Sequence, residues 1–176
     1  MPTLRALLIA SLMFLVPFAR AESSAVSEQA LKAVLFYKLP LFVYSGATDK
    51  RYPINICTLG EAPLGEAAGK LPTTLADGRR VELRTLSTAT DADDCQYVFI
   101  GRSEAVRLDS LLRRLSGRRV VTVSDIEGFA EAGGMVEFTL RADRSGLLIL
   151  INRKAAQKQG IEFNAQLLRL AKIVEP

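Results

Sequence analysis

Ser124-Asp125 closes an apolar run and is the pair that most resembles a reactive site, but nothing in the sequence can activate its hydroxyl. The protein contains no histidine, and no lysine stands at a Ser-x-x-Lys spacing. Without imidazole there is no Ser-His-Asp or Cys-His nucleophile, no imidazole-ligated metal, no His-ligated haem and no phosphohistidine relay. Glu104, Asp125, Glu127, Glu131 and Glu137 are spread along the chain, and no two are placed across a reactive bond. Cys57 and Cys95, the two cysteines, are too few for a four-thiolate zinc or iron–sulfur site. The inventory points to a binding protein rather than a hydrolase, with no cofactor and no metal.

Four weaker constellations each have a plain alternative. Leu59-Gly60-Glu61-Ala62-Pro63-Leu64-Gly65 can offer backbone donors to an anion, but it lacks the three-glycine fingerprint and a Lys-Ser/Thr pair, so it also reads as an ordinary strand–helix turn. Asp91, Asp93 and Asp94 are oxygen ligands suited to Ca²⁺, without the spacing of an EF-hand; a solvated acidic loop is the other reading. Arg113, Arg114, Arg118 and Arg119 surround Ser116-Gly117, where positive charge favours a helix C-terminus or contacts a partner or phospholipid. Gly128 to Met135, which combines glycines with Phe129 and Met135, reads as a contact loop with two apolar anchors. It reads equally as a tight turn needing positive φ at Gly133 or Gly134.

The elements that position these residues follow from periodicity. From Ser27, a plausible N-cap, the positions Ala30, Leu31, Val34, Leu35, Leu39 and Phe42 have helical spacing, and Pro40 predicts a stop near Leu39. A turn covers 45–53. Strands are predicted over 54–59, 81–84, 96–100 and 120–125, the first ending at Gly60 and the third at Gly101. A short helix follows Pro63 through Ala68, and a polar loop covers 85–94. Ser103 is the expected cap of a helix with core positions Val106, Leu108, Leu111, Leu112 and Leu115, stopped by Ser116-Gly117. Residues 136–140 and 147–151 read as a hairpin. Asn152 caps a helix over 153–159 that Gly160 ends, and Asn164 caps a last helix over 165–173. Alternating strands and helices require crossover connections. The fold class is α/β: a mixed, mostly parallel sheet flanked by helices on both faces, in a single domain with a late β-hairpin. The crevice beyond Gly60, Gly101, Ser124 and Asp125, at strand C-termini, is where such a sheet holds a ligand.

Residues 1–21 read as a cleaved signal peptide: Arg5, an uncharged apolar run from Ala6 to Phe18, then Ala19-Arg20-Ala21. A retained signal anchor is the alternative. Without those residues the 176-residue chain becomes a 155-residue domain, 22–176, with 21 basic against 19 acidic side chains. That charge gives no electrostatic case for nucleic acid. Export into an oxidising compartment changes the meaning of the cysteines, which there most often pair. Cys57 lies in one strand candidate and Cys95 just before another; if those strands are neighbours, the thiols come within bridging distance. Two separate buried thiols are the alternative.

From Gly117 the residues become recognisable. Gly117-Arg118-Arg119-Val120-Val121-Thr122-Val123-Ser124-Asp125 is followed by Gly128-Phe129-Ala130-Glu131 and Gly133-Gly134-Met135-Val136. Ile151-Asn152, Ala155, Gly160-Ile161 and the stretch Leu167-Leu168-Arg169-Leu170-Ala171-Lys172-Ile173-Val174 complete the series. With Leu31-Lys32-Ala33, Tyr37, Ile56-Cys57-Thr58-Leu59-Gly60 and the 95–100 strand, the chain resembles the YfiR family of exported regulators over nearly all of 31–174. The resemblance implies a periplasmic repressor that binds the periplasmic sensory domain of an inner-membrane diguanylate cyclase of the YfiN type. Holding that cyclase inactive lowers cyclic-di-GMP and biofilm formation. It also implies a homodimer and a disulfide at Cys57 and Cys95, while the second cysteine pair of some members is missing. Members usually end their first helical segment in Trp-Pro; this chain has Pro40 and then Val43-Tyr44-Ser45. On this reading Phe129, Glu131, Gly133, Gly134 and Met135 are the partner-binding candidates. A periplasmic small-molecule-binding module feeding a sensor kinase or transport system is the alternative function, with the Gly60, Gly101, Ser124 and Asp125 crevice as its site.

Overall fold

The computed structural model describes residues 23–44, 53–142 and 146–176, with side chains from residue 28 onward. The leader over 1–21, most of the turn over 45–53 and the hairpin tip at 143–145 lie outside the described residues. Helix α1 spans Ser23–Lys38. Ser27, expected as its N-cap, therefore sits inside it, because no glycine or proline stands between Ser23 and Lys38 to delay the start. Pro40 ends α1 as predicted, falling in the first turn of a short 3-10 helix, Leu39–Phe42.

The strands are β1 Val43–Tyr44, β2 Ile54–Leu59, β3 Val81–Leu86, β4 Tyr97–Ile100, β5 Val121–Ser124, β6 Val136–Leu140, β7 Leu147–Asn152, β8 Glu162–Phe163 and β9 Lys172–Val174. Three further helices are α2 Leu108–Leu115, α3 Arg153–Gln157 and α4 Ala165–Leu170. Seven strands form one sheet in the order β3-β2-β4-β5-β6-β7-β9; β1 and β8 pair separately as an antiparallel ribbon. The first five are parallel, β6 and β7 form the expected antiparallel hairpin, and β9 runs parallel to β7. The mixed, mostly parallel α/β architecture is therefore as the sequence predicts. The strand order turns back on itself between β2 and β4, so their C-terminal ends flank the switch point at which such sheets open a crevice.

Alternation along the strands builds two cores. In β4, Tyr97 and Phe99 face the α1 side, while Val98 and Ile100 face the α2 side. Phe99 meets the edge of Phe36 from α1 at 5.3 Å between ring centres and lies 6.3 Å from Phe138 of β6. Burying each such ring contributes about 1.5–3 kcal/mol. On the α2 side, Leu108, Leu111 and Leu115 pack with Val98, Ile100, Phe129 and both cysteines. Cys57 and Cys95 are joined, with Cα atoms 6.0 Å apart, because β2 and β4 are adjacent. In the chain-entropy account, closing a loop of about 39 residues stabilises by about 4 kcal/mol.

Several expectations are corrected. β3 continues to Leu86, and the expected polar loop then winds into a 3-10 helix, Ala89–Asp94, closed by a Thr88–Asp91 capping box. The helix after Pro63 is a 3-10 turn over Gly65–Lys70. Ser103 caps nothing: the 3-10 helix Arg102–Arg107 starts from Gly101, and the Ser103 hydroxyl accepts the Glu61 N–H instead. Val106, expected in the core, is 99% exposed because the 3-10 pitch turns it away from the stripe that Leu108 begins. The last helix stops at Leu170, and Lys172–Val174 joins the sheet beside β7.

Candidate binding surfaces

At the C-terminal edge of the sheet, the chain leaves β2 through Gly60, at φ +106°, and β4 through Gly101, where a Cβ would stand 2.8 Å from Pro63 Cβ. The close turns leave a crevice of about 300 Å³ lined by Glu28, Lys32, Pro63, Arg102, Ser103 and Asp125 among others. Its two cations are already matched. The Lys32 ammonium, on the buried side of α1, lies 2.5 Å from Glu28 Oε1 and 2.7 Å from Asp125 Oδ2. Arg102 Nε reaches the same Asp125 oxygen at 3.2 Å and donates to the Asp125 carbonyl at 3.2 Å. A buried ammonium tolerates this position only with carboxylates beside it. The cluster thus fastens α1 to the end of β5.

Of the four crevice candidates, Asp125 lines the space and Gly60 and Gly101 shape it. Ser124 does not reach it: fully buried, its hydroxyl donates to Ile100 O at 2.7 Å and accepts the Ile126 N–H at 3.0 Å. The sequence reading missed the role of Glu28, Lys32 and Arg102. No local pattern announces a pair 93 residues apart; a lysine at an inward position of an apolar helix is the one signal available.

The glycine-bearing loop is held from beneath. Glu137, buried on β6, accepts the N–H groups of Gly128 at 3.3 Å and Ala130 at 3.0 Å. Asn152 donates to Ala130 O at 2.8 Å, and Thr122 Oγ1 accepts the Met135 N–H at 3.1 Å. Phe129 and Met135 are buried in the two cores and are not exposed anchors, which corrects that expectation. Their burial explains the glycines: a Cβ on Gly134 would stand 2.1 to 2.4 Å from three carbons of the Phe129 ring, and Gly133 takes φ +104°. Glu131, Ala132 and Gly133 are what the loop presents to solvent.

In the acidic cluster, each carboxylate has a local partner. Asp91 belongs to the capping box, Asp93 pairs with Arg118, and Asp94 lies 3.9 Å from Arg84 on the surface. Exposed pairs of this kind contribute little. Tyr37, its phenol pushed up by burial and then by the Asp77 charge, donates to Thr74 O at 2.5 Å and ties α1 to the segment before β3. No helix among the described residues is long and apolar enough to cross a membrane.

A family profile described as YfiR/HmsC-like matches residues 29–172. No curated protein matches the chain. Among solved structures, the ABC domain in complex with L-Trp from Streptococcus pneumonia aligns with TM-score 0.55 and 13% identity, over 84% of this chain and 62% of that one. A conserved domain protein from Vibrio cholerae o1 biovar eltor aligns with TM-score 0.56 and 14% identity, over 83% of this chain and 60% of that one. The chain therefore spans less than two thirds of either structure. At such identities the likeness is one of α/β fold.

Proposed function

The chain belongs to the YfiR/HmsC-like family, whose members are periplasmic regulators rather than catalysts, and on that premise we propose that it represses an inner-membrane diguanylate cyclase of the YfiN type by binding the cyclase's periplasmic sensory domain. The protein is exported by its leader and acts as a homodimer. The observation that carries the reading is the family match over 29–172, which takes in the whole sheet from β2 to β7 and both cores. The side chains agree with it: the charged groups gathered at the crevice and under the glycine loop bind one another and the backbone.

A regulator of this kind works through its difference in affinity for two states of its partner. The contact surface includes the solvent side of the glycine loop, Glu131 and Gly133, which Phe129, Gly134 and Met135 hold in shape from within. The test is capture of the purified periplasmic domain of the cyclase by the oxidised, mature chain. Binding that weakens at least tenfold in Glu131→Arg, with the melting temperature unchanged, supports the surface. Undiminished binding removes the loop from it, and no binding by the parent chain removes the partner.

The second reading, a small-molecule-binding module, is favoured by one observation, the crevice at the switch point of the sheet. A ligand entering there must displace Arg102, 66% exposed, from Asp125. Saturable thermal stabilisation by a small metabolite, lost in Asp125→Asn, would support this reading over the first.

A further inference from the structure

On the other side of the Leu59–Gly60 turn from that crevice lies a second cleft, of about 320 Å³, between the Ser87–Thr90 segment and helix α2. Its chemistry is the reverse of the first. Arg107 and Arg114, seven residues and thus two helical turns apart, both line it, facing the hydroxyl-bearing Ser87, Thr88 and Thr90. Arg107 is committed to the buried Glu104 carboxylate at 2.6 Å. Arg114 has no carboxylate within ion-pairing distance among the described residues. The cleft therefore carries a guanidinium with its planar set of donors open, beside the Ser87 hydroxyl; the Thr88 and Thr90 hydroxyls bond each other, and Thr88 donates to Asp91.

We propose that this cleft binds a small phosphate-type oxyanion, free or as a monoester, with Arg114 as the principal donor and Ser87 facing it across the cleft. A guanidinium matches two oxygens of such an anion at once, and the Ser87 hydroxyl on the facing segment meets a third. The position also fits an α/β sheet, whose ligands sit beyond the C-terminal ends of the strands, here β2 and β3. Aromatic faces, on which a sugar or base would stack, are absent from its lining. Charge decides between the two clefts. In the first, Lys32 and Arg102 are neutralised by Asp125 and Glu28; in the second, one cation remains.

The experiment is calorimetric titration of the oxidised, mature chain with inorganic phosphate and, separately, glycerol 3-phosphate, at fixed ionic strength against chloride. The expected result is saturable binding that weakens about tenfold or more in Arg114→Gln, the loss of a charge-assisted hydrogen-bond pair. Arg113→Gln, on the same helix but outside the cleft, should bind like the parent. Tighter binding of the ester than of inorganic phosphate identifies a monoester as the ligand, and equal binding identifies the free anion. The proposal is overturned if neither anion saturates, or if Arg113→Gln and Arg114→Gln lose the same amount. Retained melting temperature in Arg114→Gln separates lost binding from lost folding.

Discussion

The sheet is finished differently at its two ends. β2, β4 and β5 are covered on both faces: their side chains enter one core or the other, and the Cys57–Cys95 bridge joins the β2 and β4 regions. β7, inside the same sheet, has Leu147 to Leu150 all half-buried. Ile149 packs against the α1-side core, while Leu148 and Leu150 belong to neither. The difference follows from what crosses the sheet. Helical segments connect β2 to β3 and β4 to β5, whereas β5 reaches β6 through the glycine loop and β6 reaches β7 through a hairpin, neither of which brings a helix. The first half is a closed body, and the second is shaped by the pinned loop over 128–135, whose buried carboxylate and amide substitute for a helix.

This contrast can be broken by substitution, and the largest effect should come from the closed half. Phe99→Ala removes a ring that touches α1 and lies near β6, and should lower unfolding free energy by about 3–5 kcal/mol in denaturant titration. Replacing both cysteines by serine should cost up to about 4 kcal/mol, seen as a lower denaturation midpoint that no longer responds to reductant. A midpoint equal to that of the oxidised parent would mean that the bridge does not brace the closed half. Gly134→Ala should cost about 1–3 kcal/mol, because the new methyl meets the Phe129 ring and the loop must give way. Leu150→Ala, in the open half, should cost about 1 kcal/mol or less, well below a buried leucine. A Leu150→Ala loss as large as that of Phe99→Ala would erase the distinction between the halves.

How far the sequence foretold this depends on the range of the interaction. β2, β4, β5 and the hairpin were legible because short continuous apolar, β-branched runs bounded by turn residues read as strands from local sequence. The Asn152 and Asn164 caps were legible for the same local reason: each side chain accepts an N–H three residues on. β9 was not, since Leu170-Ala171-Lys172-Ile173 continues a helical pattern and only pairing with β7 overrides it. β1 and β8 are two residues each, and neither is a strand without the other. In the candidate sites, Asp125 and the two strand-end glycines were found from strand ends. Lys32 and Arg102 were not, because their shared partner Asp125 becomes visible only when α1 lies against the sheet and β4 pairs with β5. Phe129 and Met135 looked like anchors for want of any local sign that Glu137 and Asn152 pull their loop onto the sheet.

The central claim is that this domain silences a membrane-bound cyclase by contact. The most direct test measures cyclic-di-GMP in cells that express a YfiN-type cyclase with or without the full chain, at equal cyclase levels. The account predicts a fall of about tenfold or more on co-expression, the effect of a coupling free energy of about 1.4 kcal/mol or greater, and a return toward the cyclase-only level with Glu131→Arg. Equal cyclic-di-GMP with and without the chain would contradict it.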